Sequence, residues 1–368
     1  MNFTDIMTTP EWTPGTDYTT DENYFPTELA SEANGNIKPD ATTDEDYAIG
    51  WSSDQQSLEN QLSIRIIYGG ISVLGIVGNF LVMFTVYRVE KMQTKTNVFI
   101  VSLAGCDFIT SVFLIPLHLG IEIPIPPGVG GSVMCAVLLS KWPLWTSFTA
   151  SVLTLACVTL ERYFSICYPL RYNLFFTNGK ILLMVIGVWI AGITMNSYMF
   201  YVFKFNGKGC YIDWYTVGFQ TFLGVCNFSV IYAIPLVTMA ICYVLIMINL
   251  SKSAKSLSRS TGKESQASLE LLNARKKVIK MLAIVVVTFA ICWAPNQFIF
   301  FAYNCGFDLD FTSWYYHFSV LIAFCNSCMN PLIYSFKSKS YRRALKIAIC
   351  GRNWVGPADE DTALTFDA

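Results

Sequence analysis

The sequence predicts an all-α membrane protein: a seven-transmembrane helix bundle with a short amphipathic eighth helix. Composition supports this, because the 368 residues are 53% hydrophobic and only 14% charged, whereas soluble domains carry about 25% charged residues. The apolar residues fall in seven long runs, and a helix needs about 20 apolar residues to cross a bilayer. Lysine and arginine are concentrated in alternate connections between these runs.

These patterns divide the chain into four segments. Residues 1–62 hold thirteen acidic residues and one basic residue and have no hydrophobic period, so we expect a disordered acidic extracellular tail. Residues 63–335 form the seven-helix transmembrane domain, 336–350 an amphipathic membrane-surface helix and 351–368 a cytoplasmic tail. The predicted spans, numbered one to seven, cover residues 64–88, 98–119, 138–163, 180–203, 219–248, 279–303 and 314–335.

The basic residues predict an extracellular N-terminus and a cytoplasmic C-terminus. In that orientation 20 of the 25 Lys and Arg residues lie on the cytoplasmic side, in agreement with the positive-inside rule. An even number of spans would place the basic segment after the last span on the opposite side. No basic region followed by an apolar run begins the chain, so we expect span one to direct insertion into the plasma membrane.

Every span carries a short motif. In chain order the motifs are Gly78-Asn79, Ser102-Leu103-Ala104-Gly105-Cys106-Asp107, Glu161-Arg162-Tyr163, Trp189, Pro235 with Tyr243, Phe289-Ala290-Ile291-Cys292-Trp293-Ala294-Pro295 and Asn326-Ser327-Cys328-Met329-Asn330-Pro331-Leu332-Ile333-Tyr334. Together and in this order they resemble the rhodopsin-like (class A) G-protein-coupled receptors over residues 63–350. Span six, from Lys277 to Phe289, is similar to neuropeptide receptors of the tachykinin and RFamide type. The resemblance implies signalling through heterotrimeric G proteins.

The resemblance also implies a switch at the cytoplasmic ends of the spans. Glu161 would hold Arg162 at rest, and activation would release Arg162 towards Tyr243 and Tyr334. The remaining residues that the family pattern assigns to this switch are Tyr163, Asn330 and Pro331. The sequence departs from the pattern in span six, where basic residues 275–277 replace an acidic partner. We therefore expect no ion pair between Arg162 and span six.

A second implied element is a conformational switch within span six, here called the toggle. It is formed by Phe289, Trp293 and Pro295. Proline removes a helix hydrogen bond and permits a kink, so Pro295 is a natural hinge. By the resemblance, Trp293 lies at the floor of the ligand pocket, where it senses a swing of the helix. The alternative is that Trp293 only fills space in the core.

Asp107 is the one acidic residue in the interior of a predicted span. A charge at mid-bilayer costs about 2.5–3.5 kcal/mol on insertion scales and normally faces a polar cavity. The resemblance implies an allosteric sodium ion held by Asp107, Ser151, Asn326 and Asn330. The alternative is a protonated, hydrogen-bonded Asp107. We expect no cofactor and no metal other than sodium.

The resemblance implies a disulfide between Cys135 and Cys210, which joins span three to the second outer loop. Cys135 lies 27 residues before Arg162, two more than in the family pattern, and Pro143 falls within the interval. The spacing therefore predicts a bulge or kink in the outer part of span three. The segment from Lys208 to Trp214 is typical of a hairpin strand.

For two ligand classes, the sequence lacks the residue that would bind the ligand. Leu144 or Trp142 stands where amine receptors carry a carboxylate, and Phe324 stands where retinal proteins carry a lysine. A peptide remains, and the acidic outer face favours a basic or amidated neuropeptide. The residues expected to line the pocket are Lys141, Leu144, Tyr198, Asp213, Asn296, Gln297, Tyr316 and His317. The alternatives are a lipid or other non-peptide ligand, or a constitutively active receptor.

Other functions have weaker support. A transporter or channel would need several intramembrane charges along a path. The two histidines, His118 and His317, and the absence of a carboxylate pair provide no metal or acid–base site, so we expect no enzyme. Further expected partners are arrestin, receptor kinases and membrane lipids, and no nucleic acid. The expected modifications are N-glycosylation of Asn2 and palmitoylation of Cys350.

Overall fold

The computed structural model describes residues 62–118, 124–258, 263–310 and 313–351. Within these ranges seven helices are long and apolar enough to cross a membrane, as predicted. The helices of spans one to seven are Leu62–Arg88, Lys95–His118, Val129–Met134 with Trp142–Cys167, Asn178–Asn196 with Met199–Val202, Val217–Asn227 with Ile234–Ser258, Lys263–Asn304 and Trp314–Lys337. The acidic tail with Asn2, and residues 352–368, lie outside the described residues.

Span three is the centre of the bundle. In its most apolar stretch 67% of the residues are buried, against 22% in span four, which therefore lies at the periphery. The small and hydroxyl side chains of span three allow neighbouring helices to approach closely. Its hydroxyl groups donate to carbonyls one turn earlier, as Ser147 does to Pro143 at 2.8 Å and Thr159 to Leu155 at 2.9 Å. These bonds satisfy the hydroxyls where no water is available.

The predicted interruption of span three is confirmed. A π-helical turn, Cys135–Leu139, ends at Ser140 and Lys141, and a new helix begins at Trp142 with Pro143 in its first turn. Lys141 adopts a left-handed backbone conformation with φ 61°. The Ser140 hydroxyl accepts the backbone N–H of Trp142, the first residue of the new helix, at 3.2 Å. Proline suits this position because the first turn of a helix needs no N–H donor.

The predicted strand belongs to a short hairpin between spans four and five. Strand β1, Phe203–Phe205, pairs antiparallel with β2, Cys210–Ile212. Cys210 forms the predicted disulfide with Cys135 across a Cα–Cα distance of 5.5 Å. The two cysteines are 75 positions apart in the sequence. In the chain-entropy treatment, closing a loop of that length stabilises the fold by about 4 kcal/mol.

The sequence did not indicate two features of spans five and six. Span five contains a π-helical turn, Phe228–Ala233, which ends two residues before Pro235, and such turns often mark functional positions in helices. The helix of span six begins at Lys263, well before the predicted boundary at residue 279. Hydrophobicity reports where a helix enters the bilayer, whereas the helix itself continues through polar residues of good helix propensity.

The amphipathic helix runs from Lys339 to Cys350. The Ser338 hydroxyl caps it by accepting the backbone N–H of Tyr341 at 3.0 Å. Its buried face consists of Tyr341, Ala344 and Ala348. Tyr341 packs edge-to-face on Tyr334 of span seven with ring centroids 6.1 Å apart, and burial raises the pKa of its hydroxyl to about 12.

A substitution at Gly192 tests how closely spans three and four pack. A Cβ atom at Gly192 would lie 2.8 Å from the Thr146 carbonyl oxygen, a backbone atom that cannot rotate away. We expect Gly192→Ala to destabilise the protein by about 1–3 kcal/mol, the usual cost of overpacking. Thermal unfolding of the purified protein in detergent measures the change.

Gly187→Ala is the matched control, because Gly187 lies in the same helix and a Cβ atom there would meet no neighbour within 4 Å. The variant should be neutral or stabilising by about 0.5–1 kcal/mol, since alanine is the better helix former. Equal melting temperatures for the two variants would contradict the packing described for spans three and four.

Candidate functional site

A cavity of about 210 Å³ opens at the end of the bundle that carries the hairpin, here called the hairpin end. Spans three to seven and the hairpin contribute its walls, which are largely aromatic and include Trp145, Phe148, Tyr198, Trp214, Tyr303 and Tyr316. Aromatic walls with a few polar groups are typical of ligand sites. The opposite end, which carries Glu161 and Arg162, is called the Arg162 end.

Four of the residues expected to line a pocket do line this cavity, namely Lys141, Tyr198, Gln297 and Tyr316. Tyr198 accepts a hydrogen bond from the Asn227 side-chain amide at 3.4 Å. The four residues come from spans three, four, six and seven. The structure therefore gathers at one site residues that lie far apart in the sequence.

The other four expected residues do not line the cavity. Leu144 is fully buried in a second cluster with residues of spans one, two and seven, while Asn296 and His317 are also buried in the bundle. Asp213 is exposed on the hairpin side and forms an ion pair with Lys204 at 2.9 Å. The hydrogen bond to Asp213 raises the pKa of the Lys204 ammonium.

Sequence reasoning missed Trp145 and Phe148 of span three. After the interruption at Ser140 and Lys141, Trp145 lines the cavity, while the preceding Leu144 is buried with residues of spans one, two and seven. Trp214, just after strand β2, was also missed. Its indole N–H donates to the Tyr303 hydroxyl at 3.4 Å, and its ring stacks on Tyr198 with centroids 6.3 Å apart.

The cavity floor contacts the predicted toggle directly. Phe148 stacks on the buried Trp293, with ring centroids 3.4 Å apart and planes inclined by 21°. Phe324, another floor residue, meets Trp293 edge-to-face at 6.4 Å. Phe289, one turn before Trp293, packs against Tyr232 of span five at 6.0 Å. A molecule that moves Phe148 therefore presses on the span that contains Pro295.

Below the floor, Asp107 joins three spans. Its carboxylate accepts the Ser151 hydroxyl at 3.1 Å through Oδ1 and the Asn330 amide at 2.7 Å through Oδ2. The side-chain oxygens of Asn326 and Asn330 are buried without a hydrogen-bond partner. A carboxylate, a hydroxyl and two unpartnered amide oxygens are the hard oxygen donors that alkali and alkaline-earth cations prefer. The residues present therefore fit the implied sodium ion.

At the Arg162 end, both oxygens of the buried Glu161 carboxylate contact other side chains. Oε2 lies 3.1 Å from Arg162 Nε and accepts the Thr96 hydroxyl at 3.0 Å. Oε1 accepts the Tyr172 hydroxyl at 2.6 Å. Thr96 and Tyr172 were not foreseen, because their distance from Glu161 depends on how span two and the helix Pro169–Phe175 pack.

Tyr172 is itself held from span two. The Lys95 ammonium lies 5.0 Å from the centre of the Tyr172 ring and donates to the Asn173 side chain at 3.1 Å. A contact of this kind between a cation and a ring is worth about 0.5–1 kcal/mol at an exposed site. Span two therefore restrains the helix Pro169–Phe175 as well as Glu161.

The other expected switch residues lie on spans three, five and seven. Tyr243 is buried in span five, and Pro331 and Tyr334 are buried in span seven. Tyr163 packs edge-to-face on Tyr168 at 5.6 Å.

The chain is similar to proteins of one family. Residues 78–334 match the family described as "7 transmembrane receptor (rhodopsin family)". Galanin receptor 2a of Danio rerio is 32% identical over 290 residues, which cover 77% of this chain and 77% of the relative. Galanin receptor 2b of Danio rerio is 30% identical, covering 80% and 78%. The Allatostatin-A receptor of Bombyx mori is 29% identical, covering 78% and 80%.

Tyr172→Phe tests the contacts of Glu161. The variant removes one hydrogen bond to a buried carboxylate, and bonds of this kind contribute about 1.5–3 kcal/mol. We expect faster backbone hydrogen exchange in residues 169–175, measured by mass spectrometry on the purified protein. Tyr168→Phe is the control, because the Tyr168 ring packs on Tyr163 rather than on Glu161. Unchanged exchange in Tyr172→Phe would contradict the role given to this bond.

Proposed function

Because the chain belongs to the rhodopsin family of seven-transmembrane receptors, we propose that an extracellular peptide activates it and that it couples to heterotrimeric G proteins. Members of this family are receptors and not enzymes. The relatives named above are receptors for galanin and allatostatin-A, which supports a ligand of the neuropeptide class.

The observation that carries the proposal is the contact between the cavity and span six. The aromatic cavity opens at the hairpin end, and Phe148 at its floor stacks on Trp293. A peptide side chain that enters the cavity contacts Phe148 and changes the packing of Trp293. Pro295, two residues further on, lies inside the helix Lys263–Asn304 and provides a hinge.

The ligand performs no chemistry in this proposal and only biases an existing equilibrium. A shift from 1:99 to 99:1 requires about 5.5 kcal/mol of differential binding. Movement of span six would open a crevice at the Arg162 end, where Arg162 leaves Glu161 and meets the G protein. Since residues 275–277 of span six are basic, the contacts of Glu161 with Thr96 and Tyr172 would hold the resting state.

The same proposal orients the molecule in the plasma membrane. The hairpin end is extracellular and the Arg162 end is cytoplasmic, as the positive-inside rule favours. The exposed Asp308 and Asp310, between spans six and seven, would attract basic residues of the peptide. Arrestin and receptor kinases would bind the Arg162 end. The exposed Cys350, at the end of the amphipathic helix, would carry a palmitoyl group at the membrane surface.

We also propose that Asp107, Ser151, Asn326 and Asn330 hold an allosteric sodium ion. The bound ion would supply a positive charge that compensates the Asp107 carboxylate. The residues themselves link spans two, three and seven and so favour the resting arrangement. The alternative is that a proton neutralises Asp107 in the same hydrogen-bonded cluster.

Sodium dependence distinguishes these two states of Asp107. We expect sodium chloride at about ten times its dissociation constant to stabilise the purified receptor by about 1.4 kcal/mol relative to choline chloride of the same concentration. The effect should vanish in Asp107→Asn and persist in Asp213→Asn, whose carboxylate is exposed. Equal melting temperatures in both salts for the unmodified receptor would favour the protonated alternative.

Arg162→Ala tests the switch. Cells that express the full chain with a promiscuous G protein are exposed to galanin, to A-type allatostatins and to a panel of basic and amidated peptides. We expect a calcium response to at least one peptide. Arg162→Ala should reduce the calcium response at least tenfold without weakening peptide binding. Arg171→Ala, which replaces an exposed arginine of the helix Pro169–Phe175, should respond normally. Full signalling by Arg162→Ala would remove the proposed switch.

The same screen tests the ligand class. If no peptide elicits a response although the receptor is present at the cell surface, a non-peptide ligand such as a lipid is favoured. A high signal without any added peptide would favour constitutive activity instead.

A further inference from the structure

A second cavity, a groove of about 740 Å³, lies at the Arg162 end between spans two, three and four and the helix Pro169–Phe175. We call it the lateral groove. Its polar part includes Thr94, Lys95 and Asn178, and its apolar part includes Val98 and Leu182. A groove that is charged and polar on one side and apolar on the other suits an amphiphilic molecule.

The apolar part of the lateral groove is continuous with the outer surface of the bundle. Val98 of span two and Leu182 of span four are 43% and 59% exposed. Leu182, Ile186 and Ile190 follow one another at intervals of four residues, and all three are exposed, so they form one stripe along span four. In a helix that crosses a bilayer, an exposed apolar stripe lies against acyl chains. The groove therefore opens towards lipid.

The polar part carries positive charge that no carboxylate of the described chain neutralises. The Lys95 ammonium donates to the Asn173 side-chain oxygen at 3.1 Å and lies over the Tyr172 ring, and both of these groups are neutral. Lys180, in the first turn of span four, donates to the Leu174 carbonyl at 2.6 Å, which is also neutral. An ammonium has three donor hydrogens, so one hydrogen bond leaves Lys95 able to donate to an anion.

We propose that the lateral groove binds one anionic phospholipid from the leaflet at the Arg162 end. The headgroup phosphate contacts Lys95, and an acyl chain follows Leu182 and Ile186. A zwitterionic headgroup would bring its own ammonium towards the same lysines, so the charge favours a lipid with a net negative charge. In the orientation proposed above, this leaflet is the cytoplasmic one, which carries anionic lipids.

The lipid site adjoins the contacts of Glu161. Tyr172 lines the lateral groove, and its hydroxyl donates to Glu161 at 2.6 Å. A lipid in the groove therefore restrains the helix Pro169–Phe175, which contains Tyr172. Lipid binding itself requires only the bundle and a bilayer, whereas any effect of the lipid on signalling rests on the switch proposed above.

Hydrogen exchange at the groove tests lipid binding locally. The purified full-length receptor is placed in nanodiscs of phosphatidylcholine with or without phosphatidylglycerol, and exchange is followed by mass spectrometry. We expect phosphatidylglycerol, at about ten times the mole fraction that half-saturates the site, to slow exchange in residues 169–182 about tenfold. Glycerol 3-phosphate in solution supplies the phosphate without acyl chains and should not slow exchange.

Variants of Lys95 assign the effect to the lateral groove. Lys95→Gln should abolish the slowing by phosphatidylglycerol, and Lys95→Arg should retain it because the charge is kept. Lys91→Gln is the matched control and should also retain it, because Lys91 is an exposed lysine of the same connection that lies outside the groove lining. Each variant is compared with itself in phosphatidylcholine alone, so that changes in its resting exchange cancel.

A pair of leucine variants tests the path of the acyl chain. Leu182→Trp fills the apolar part of the groove and should weaken the effect of phosphatidylglycerol severalfold. Leu183→Trp should not, because Leu183 is an exposed neighbour outside the lining. Equal effects of the two variants would contradict this path.

Three results would overturn the inference: exchange that phosphatidylglycerol leaves unchanged, slowing that survives Lys95→Gln, or equal slowing by glycerol 3-phosphate, which would indicate a site for a free anion. The measurement involves neither a peptide nor a G protein. Its failure is therefore distinguishable from failure of the peptide screen.

Discussion

The Asp107 carboxylate and its partners are the interaction on which the arrangement of the bundle depends. Hydrocarbon offers no hydrogen-bond partner, so a buried acid must find its donors within the protein. Asp107 finds them in Ser151 of span three and Asn330 of span seven. Asn79 of span one adds a bond to the Ser327 carbonyl at 2.8 Å. These contacts join four spans between the cavity and Arg162. A conformational change that is transmitted between the hairpin end and the Arg162 end therefore alters the contacts in this layer.

The interruption of span three determines the shape of the cavity. Pro143 lies in the first turn of a new helix that follows the π-helical turn Cys135–Leu139, and the Ser140 hydroxyl accepts the N–H of Trp142 between them. The consequence is a wall in which Trp145 and Phe148 face the cavity and Leu144 does not. The disulfide then anchors the hairpin over this wall. One local break in a helix thus sets both the identity of the floor residues and the position of the covering hairpin.

At the Arg162 end, three residues from different elements share the Glu161 carboxylate. Glu161 distributes its two oxygens among Arg162, Thr96 and Tyr172, and Lys95 covers Tyr172 from span two. Spans two and three and the helix between spans three and four therefore share the restraint. In span six, Trp293 and Phe289 make ring contacts with spans three, five and seven.

The sequence alone determined the seven spans, because bilayer thickness imposes on each span a length and an apolarity that are visible in the chain. It also placed the interruption of span three, since spacing and Pro143 are local properties. Only the tertiary structure decided which side chains meet: Trp145 instead of Leu144 in the cavity, Tyr172 on Glu161, and Asp213 on Lys204 outside the pocket. Those outcomes depend on helix rotation and on the approach of distant segments, and a change of one residue turns a helix by about 100°.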